Sequence, residues 1–271
     1  MISFPASLVS TTMHTTTSAD GTTIAYDRAG DGPPIVLVAG AFITRSTTAP
    51  LAAALADRFT TLNLDRRGRG DSGDTLPYAV EREIEDIGAV IGAAGGPAVL
   101  FGYSSGATLA LKAAAHGLPI DRLALYDAPF VVDGSRPLLS PGFADQVGAL
   151  VAAGRRGDAV ELYQRVVVGI PGDVVARLRD APFRPGLEAI AHTLVYEAKV
   201  VGDLSLPVDL VASIAIPTLV MDGESSPPIM HGAAAALAET LQNAERRTLP
   251  GQTHDLVPEV VAAVIADFLA G

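Results

Sequence analysis

The sequence contains no cysteine. This absence excludes a disulfide framework, a thiolate metal site and a cysteine nucleophile. Basic residues are also few, since 19 lysines and arginines stand against 30 acidic residues and leave a net charge of −11. Proteins that bind nucleic acid carry clustered basic side chains, so this balance argues against a nucleic-acid partner.

Long apolar runs are missing as well. Charged residues or glycines interrupt every apolar stretch well before about 18 residues, so we expect no membrane-spanning segment and no membrane partner. Residues 1–17 lack the basic start of a secretory signal, and we expect a frayed tail there, with the leader before Met13 outside the fold. These features predict a cytoplasmic protein that acts on a small molecule, and they leave the oligomeric state open.

From Thr22 onward, two patterns alternate along the chain. Short runs rich in β-branched residues are followed by longer, alanine-rich segments with helical spacing, which predicts an α/β fold with a mostly parallel central sheet flanked by helices. The strands predicted from nearly continuous apolar runs are Ile35–Val38, Thr60–Leu64, Ala98–Phe101, Arg122–Tyr126 and Thr218–Met221. The predicted helices are Leu51–Ala56, Val80–Ala93, Ala107–Ala115, Ala233–Leu241 and Pro258–Leu269.

The alternation stops between about Val132 and Asp209. This stretch contains helical patterns separated by proline and glycine turns, with little that is typical of a strand. We interpret residues 132–209 as a helical cap inserted into a core made of residues 1–131 and 210–271. The cap is expected to line a substrate pocket, with Phe183 and Tyr196 as candidate contacts. The alternative is a helical elaboration that does not contact substrate.

The segment from Val99 to Ala110 carries the strongest chemical signal. A predicted strand leads directly into Gly102-Tyr103-Ser104-Ser105-Gly106, and a helix of small residues follows. A serine nucleophile needs such a tight turn to expose its hydroxyl, and the two glycines remove side chains that would collide with the neighbouring strand and helix. The backbone N–H of Ser105 would then point to where an oxyanion forms. The alternative is a turn that has kept its shape without the chemistry.

The order of these motifs resembles the α/β-hydrolase superfamily from about Thr22 to Leu269. The stretch Ile35–Phe42 is similar to the strand and loop that supply the second oxyanion donor in that family, here the N–H of Ala41. Ala39 stands where the family often has histidine. The stretch Asp65–Ser72 resembles the family's D-x-R-G-x-G-x-S loop, whose role is mostly architectural. The resemblance implies hydrolysis without a metal or an organic cofactor.

The resemblance also implies a catalytic base. His254 follows a short predicted strand and precedes the last predicted helix, where the family has its catalytic histidine. A serine hydroxyl at its ordinary pKa is a poor nucleophile, so an imidazole must take its proton during attack. The alternative for His254 is a helix cap. The other histidines have weaker contexts and no metal-binding spacing: His14, His116, His192 and His231.

The triad acid is where this sequence departs from the family pattern. The family usually has aspartate at the end of Gly-x-x-Asp after the strand Thr218–Met221, and this chain has Ser226 there. A variation known from fungal lactonases that open a resorcylic macrolactone places the carboxylate one strand earlier, where Asp127 stands. Asp127 is therefore the preferred acid. Glu224, Asp222 or the absence of an acid are the alternatives.

Together these motifs predict a serine hydrolase that cleaves a small-molecule ester or lactone. Ser104, His254 and Asp127 form the predicted triad, and the N–H groups of Ala41 and Ser105 form the predicted oxyanion hole. The residues expected to contact an apolar acyl or aromatic group are Phe42, Tyr103 and Tyr126. The alternatives are a C–C bond hydrolase, an enzyme resembling cofactor-free haloperoxidases or perhydrolases, or a hydrolase-fold binding protein with little turnover.

Overall fold

A central sheet organises the computed structural model, which describes residues 11–271. Its strands are β1 Thr12–Thr17, β2 Thr23–Ala29, β3 Pro34–Val38, β4 Thr60–Leu64, β5 Ala98–Tyr103, β6 Ile120–Tyr126, β7 Thr218–Gly223 and β8 Ala244–Leu249. Their spatial order is β1-β2-β4-β3-β5-β6-β7-β8. The pairs β1–β2 and β2–β4 are antiparallel, and all other neighbours in this sheet are parallel. The predicted α/β fold with a mostly parallel sheet is confirmed.

Helices cover both faces of the sheet. They are α1 Arg45–Ala56, α2 Val80–Ala94, α3 Ser105–Ala115, α4 Phe143–Ala152, α5 Arg156–Tyr163, α6 Gly172–Arg177, α7 Arg184–Ala189, α8 Thr193–Val201, α9 Val208–Ala212, α10 Pro228–Thr240 and α11 Pro258–Ala270. A π-helical turn, Gln164–Val168, continues α5, and a 3₁₀ turn, Leu178–Asp180, follows α6. Within residues 11–271, no helix has both the length and the apolar character needed to cross a membrane.

The two faces of the sheet explain the continuous apolar runs in the sequence. Along β3, Val36 and Val38 pack in one cluster with α2, α3 and α10, whereas Ile35 and Leu37 pack in a second cluster with α1 and α11. Successive side chains of a strand point to opposite faces, so a strand covered on both sides must be apolar at every position. This requirement is why the predicted strands match β3 to β7 within a few residues.

The N-terminal end of the described chain differs from the sequence-based expectation. Residues 12–17 form β1, an edge strand in which Met13 pairs with Asp27 of β2, and they are not a frayed tail. Residues 1–10, which complete the predicted tail, lie outside the described residues. The missed signal is the Asp-Gly pair before β2, because Gly21 has a φ of 85° and such pairs favour hairpin turns.

Helices α4 to α9 lie between β6 and β7. Helices α4 to α8 fall within residues 132–209, the predicted cap, and α9 (Val208–Ala212) extends three residues past its end. Helices α4, α5 and α8 share a third apolar cluster, in which Val147, Tyr163 and Leu194 are almost completely buried. Phe42, from the loop after β3, packs against the same cluster. The inserted helices therefore rest on the loop that follows β3. Their separation into a cap domain stays a prediction.

A buried ionic network joins these inserted helices to the rest of the fold. Arg66 and Arg69, in the loop after β4, both contact one carboxylate oxygen of Glu197 on α8, and the Glu197 side chain is fully buried. The Nε of Arg66 also lies 2.6 Å from a carboxylate oxygen of Glu83 on α2. Burial would raise the pKa of Glu83, but the charge and hydrogen bonds of Arg66 outweigh burial and lower its pKa. The Arg66–Glu83 pair is therefore ionised.

Replacing Glu197 with glutamine should strongly destabilise the protein. The Glu197→Gln variant leaves Arg66 and Arg69 buried with one negative charge fewer, and such losses cost about 3–5 kcal/mol. Asp173→Asn is the matched control, because Asp173 is 70% exposed and pairs with Arg177, which is 68% exposed, and a lost surface pair costs about 1 kcal/mol or less. Urea unfolding measures both variants. Equal losses in the two variants would contradict this account of the network.

Adding one methyl group at Gly106 should also destabilise the fold. A Cβ there would lie 2.2 Å from the carbonyl oxygen of Val38, so the Gly106→Ala variant must move α3 away from β3, at a cost of about 1–3 kcal/mol. Gly92→Ala is the control, since a Cβ at Gly92 on α2 meets no atom within 4 Å and alanine favours a helix by about 0.5–1 kcal/mol. Denaturation curves should shift in opposite directions, and a stabilised Gly106→Ala variant would refute this.

Candidate active site

Adjacent parallel strands bring the predicted site residues to one edge of the sheet. Tyr103 and Tyr126, the last residues of β5 and β6, are paired, so Ser104 and Asp127 follow them side by side. The loop between β8 and α11 carries His254 to the same edge. Carboxyl ends of parallel strands are the usual location of ligand sites in such sheets, because the chain leaves them in loops that face solvent.

Ser104 occupies a strained turn between β5 and α3. Its φ is 56° and its ψ is −126°, a conformation that non-glycine residues rarely adopt. The turn is closely packed, because a Cβ at Gly40 would lie 2.9 Å from the Cβ of Ser104 and one at Gly102 would lie 2.6 Å from the Cα of Ala107. These glycines allow the chain to pass directly beside the serine, as the spacing in the sequence predicts.

Backbone strain is concentrated around this edge. The non-glycine residues of the described chain with positive φ are Phe42 (64°), Ser104 (56°), Asp127 (49°) and Leu204 (73°). Phe42 and Ser104 line one cavity at this edge, and Asp127 follows β6, the strand next to β5. Such conformations cost about 1–3 kcal/mol each and persist where the surrounding structure enforces them, often at functional sites.

Asp127 and His254 are in direct contact. Nδ1 of His254 lies 3.0 Å from Oδ2 of Asp127, and the Asp127 side chain is fully buried. The Ser226 hydroxyl donates to the same oxygen over 2.6 Å, and the N–H of Gly223 donates to Oδ1 over 3.4 Å. With Nδ1 engaged, Nε2 is the His254 nitrogen left for a substrate or for Ser104.

Ser104 and His254 line one cavity, but within residues 11–271 no hydrogen bond joins the Ser104 hydroxyl to the His254 ring. Hydrogen bonds between a nucleophile and its base are often long in the absence of substrate and tighten in the complex. The His254 side chain is 31% exposed, so its ring faces the cavity while its other side rests on Asp127.

The two alternative acids point elsewhere. Glu224 is exposed and accepts the N–H of Gly251 over 2.8 Å. Asp222 is a residue of β7. Its carboxylate lies 2.6 Å from Nδ1 of His231 and also accepts a hydrogen bond from Arg246. Neither carboxylate contacts His254. No three His, Asp or Glu side chains of the described chain are placed to hold a metal ion.

Two tyrosines position the loop that carries His254. The Tyr103 hydroxyl donates to the His254 carbonyl over 2.8 Å, and the Tyr126 hydroxyl donates to the Thr253 carbonyl over 2.5 Å. Tyr103 and Phe42 also line the cavity, but Tyr126 is fully buried and is not on its wall. The structure thus places Tyr126, expected to contact substrate, in the core at the end of β6, where its hydroxyl contacts the loop that carries His254.

The predicted oxyanion donors lie beside Ser104. Ala41 and Ser105 both line the cavity, and the N–H of neither residue donates to another described residue. Arg69 donates to the carbonyl of Gly40 over 2.7 Å. This carbonyl belongs to the same peptide unit as the N–H of Ala41, and the two point in opposite directions across a trans peptide. The arginine therefore fixes the direction of the Ala41 N–H.

The cavity above these residues has a volume of about 710 Å³ and is mainly apolar. Its apolar lining includes Ile43, Val167, Val168, Ile170, Val201 and Met230. A space of this size and character suits a small organic ligand with few polar groups.

The inserted segment contributes to this wall through residues that the sequence did not single out. Its lining residues include Tyr163 and the stretch 167–171, which covers the end of the π-helical turn and the loop after it. The predicted contacts Phe183 and Tyr196 are not on the wall: Phe183 is 53% exposed, and Tyr196 stacks on Tyr78 with 3.9 Å between ring centroids. A π-helical turn has no clear sequence signal, because it depends on tertiary packing.

The known proteins with related sequences include a hydrolase and a deformylase. The chain is 26% identical over 254 residues to 2-(acetamidomethylene)succinate hydrolase of Mesorhizobium japonicum, and the match covers 89% of each protein. It is 35% identical over 153 residues to N-formylmaleamate deformylase of Pseudomonas putida, which corresponds to 54% of this chain and 57% of the relative.

The solved structures include a similar protein over nearly the whole chain. An α/β-hydrolase from Sphaerobacter thermophilus is 54% identical, with a TM-score of 0.89 over 94% of this chain and 100% of that chain. The model of the Alpha/beta hydrolase family matches residues 35–267, from β3 into α11. This match agrees with the fold and with the strained serine turn at the edge of the sheet. The chain therefore belongs to the α/β-hydrolase family.

Proposed function

We propose that the protein hydrolyses a small ester, lactone or N-acyl compound through a triad of Ser104, His254 and Asp127. The observation that carries the proposal is the buried Asp127 carboxylate 3.0 Å from Nδ1 of His254, in a cavity that Ser104 also lines. A catalytic triad needs this order of contacts, in which a buried acid holds the histidine and the histidine faces the nucleophile.

In the proposed reaction, the Ser104 hydroxyl oxygen attacks the acyl carbonyl carbon while Nε2 of His254 accepts the hydroxyl proton. The tetrahedral intermediate collapses, the bond to the leaving oxygen or nitrogen breaks, and His254 returns the proton to that atom. A water molecule then attacks the acyl-enzyme with His254 again as base, which releases the acid and restores the serine. No metal or organic cofactor enters these steps.

Asp127 stabilises the imidazolium that forms on His254 and holds its ring in one tautomer. Hydrogen bonds from Ser226 and Gly223 keep the carboxylate in place before the reaction begins. Groups fixed in advance need not reorganise in the transition state, and this is a main source of electrostatic catalysis. Ser226 stands where the family usually has its acid. In this chain its hydroxyl helps to hold the Asp127 carboxylate, which follows the neighbouring strand β6.

The N–H groups of Ala41 and Ser105 would bind the negative oxygen of the tetrahedral intermediate. Arg69 supports this role, because its charge both orients and polarises the peptide between Gly40 and Ala41. A peptide whose carbonyl accepts a charged hydrogen bond is a stronger donor at its N–H. The arginine therefore acts through the backbone and does not touch the substrate.

The names of the sequence relatives support a substrate class wider than esters. One relative is named for an acetamidomethylene derivative of succinate and the other for the removal of a formyl group from N-formylmaleamate. Both names indicate N-acyl compounds, whose hydrolysis uses the same tetrahedral chemistry as ester hydrolysis. We therefore include amides of small acids beside esters and lactones.

Replacing the nucleophile should remove activity and leave the fold intact. The Ser104→Ala variant should lose about 10³-fold or more in kcat, because it lacks the oxygen that forms the proposed acyl-enzyme. Hydrolysis of a panel of esters, lactones and N-acyl compounds measures this loss. Ser213→Ala, at an exposed serine after α9, is the control and should retain full activity.

Covalent labelling separates this proposal from its alternatives. A fluorophosphonate should label the wild type at Ser104 and should not label the Ser104→Ala variant, as mass spectrometry can show. Labelling without hydrolysis of any panel member would favour the C–C bond hydrolase or perhydrolase alternatives. The absence of labelling would favour a binding protein and would refute the proposed function.

Two parallel substitutions identify the triad acid. The Asp127→Asn variant should lose about 10⁴-fold in kcat, because an amide neither balances the imidazolium nor enforces its tautomer. Glu224→Gln should change kcat by less than about fivefold, since its exposed side chain accepts the Gly251 N–H and does not contact His254. Circular dichroism checks that both variants fold. A large loss in Glu224→Gln with activity retained in Asp127→Asn would reverse the assignment.

A further inference from the structure

Arg136 and Tyr163 each bring to the cavity wall a buried polar group that lacks a partner among the described residues. Arg136, in the loop between β6 and α4, lines the cavity, and its Nε is buried without a hydrogen bond to any described residue. Tyr163, the last residue of α5, lines the same cavity and is only 1% exposed, and its hydroxyl is also buried without a partner. Buried polar atoms are normally satisfied, so each such exception needs an explanation.

Arg136 also lacks a counter-ion. Within residues 11–271 no Asp or Glu side chain forms a salt bridge with it, and the group that most favours its charge is the Tyr163 side chain. Burial lowers the pKa of the Arg136 guanidinium. An arginine nevertheless keeps its charge at neutral pH, because its ordinary pKa is above about 12. A charge that has lost part of its hydration without gaining an anion is unfavourable until an anion arrives.

Tyr163 is available as a hydrogen-bond donor. Burial, followed by the nearby charge of Glu197, raises the pKa of the Tyr163 hydroxyl well above its ordinary value, so this group stays protonated. Its ring is held edge-on by Phe42, with 5.5 Å between the ring centroids. The hydroxyl therefore belongs to a rigid part of the wall, next to the loop that supplies the Ala41 N–H.

We propose that Arg136 and Tyr163 form a subsite that binds a carboxylate group of the substrate. The proposal rests on the proposed acyl transfer, because it assigns the end of the substrate that does not react with Ser104. The substrate would then be an anionic acyl compound, such as the half-ester or half-amide of a dicarboxylic acid. A guanidinium donates two parallel hydrogen bonds to a carboxylate, and the phenol can add a third.

The rest of the cavity strengthens this assignment. Its other walls are mainly apolar, so a carboxylate placed at random would lose its hydration without compensation. The Arg136 guanidinium would therefore orient the substrate as well as bind it. In such a site, a neutral substrate of the same length binds without this constraint and is turned over less efficiently.

Matched substrates test the subsite. Mono-4-nitrophenyl esters of succinate, glutarate and adipate carry a carboxylate where 4-nitrophenyl butyrate, valerate and hexanoate carry a methyl group. Arg136→Gln should lower kcat/KM for at least one half-ester by about 10- to 100-fold, mainly through KM, because a charge-assisted hydrogen bond is lost. Hydrolysis of the matching alkyl ester should change by less than about threefold. Equal changes for both substrates, or no change for either, would overturn the proposal.

Three further variants separate binding from general effects of charge and folding. Arg136→Lys should recover part of the lost kcat/KM, and Tyr163→Phe should lower it by a smaller factor of about three to ten, since one neutral hydrogen bond is removed. Arg155→Gln removes the same charge from an exposed arginine of the inserted segment, whose salt-bridge partner among residues 11–271 is Asp158 at the surface. It should affect both substrate types equally and weakly.

A binding measurement keeps this test independent of turnover. Calorimetry with glutarate, succinate and adipate on the Ser104→Ala variant should detect binding that disappears in Ser104→Ala/Arg136→Gln. If no ester is hydrolysed and fluorophosphonate does not label Ser104, the proposed function is refuted. The carboxylate subsite is then tested by this titration alone. If none of the three dicarboxylates binds to Ser104→Ala, or if binding is unaffected by Arg136→Gln, the subsite is refuted.

Discussion

The hydrogen bond from Arg69 to the carbonyl of Gly40 is the contact on which the geometry of the sheet edge depends. It fixes the peptide that precedes Ala41, directly beside Ser104, and its guanidinium is held in turn by Glu197 on the inserted helix α8. Arg66 makes a similar pair of contacts, because it also contacts Glu197 and donates to the carbonyl of Ala39. Removing one partner of a buried charge is strongly destabilising. The contacts of Arg66 and Arg69 therefore couple the loop after β3, the loop after β4 and the inserted helices.

The position of the proposed triad acid illustrates which strands can supply a carboxylate to this edge of the sheet. β6 lies between β5 and β7 in the sheet, so a carboxylate after either β6 or β7 can reach the loop that carries His254. In this chain Asp127 follows β6, and Ser226, after β7, donates a hydrogen bond to it. Asp127 is a buried carboxylate with three polar contacts, from His254, Ser226 and Gly223, and such contacts favour the ionised form that the proposed triad needs.

The fold was largely predictable because its determinants are local. Strands covered on both faces must be apolar throughout, and β4 was predicted with its observed bounds, Thr60–Leu64. Elements at the periphery were harder to predict. β1 is an exposed edge strand of mostly threonines without an apolar run. Helix α1 begins at Arg45, six residues before the predicted helix, in a polar turn to which tertiary contacts contribute. Salt bridges from Arg45 to Asp27 and Asp65 are among those contacts.

The sequence by itself determined the α/β architecture and the strained turn at Ser104, because the glycine spacing and the flanking strand and helix all lie within one short segment. Only the tertiary structure decided which distant side chains meet. It placed Asp127 against His254, turned Tyr126 into the core and put Arg136 and Tyr163 on the cavity wall in place of Phe183 and Tyr196. Such contacts depend on the packing of helices that are far apart in the chain, and no local pattern encodes them.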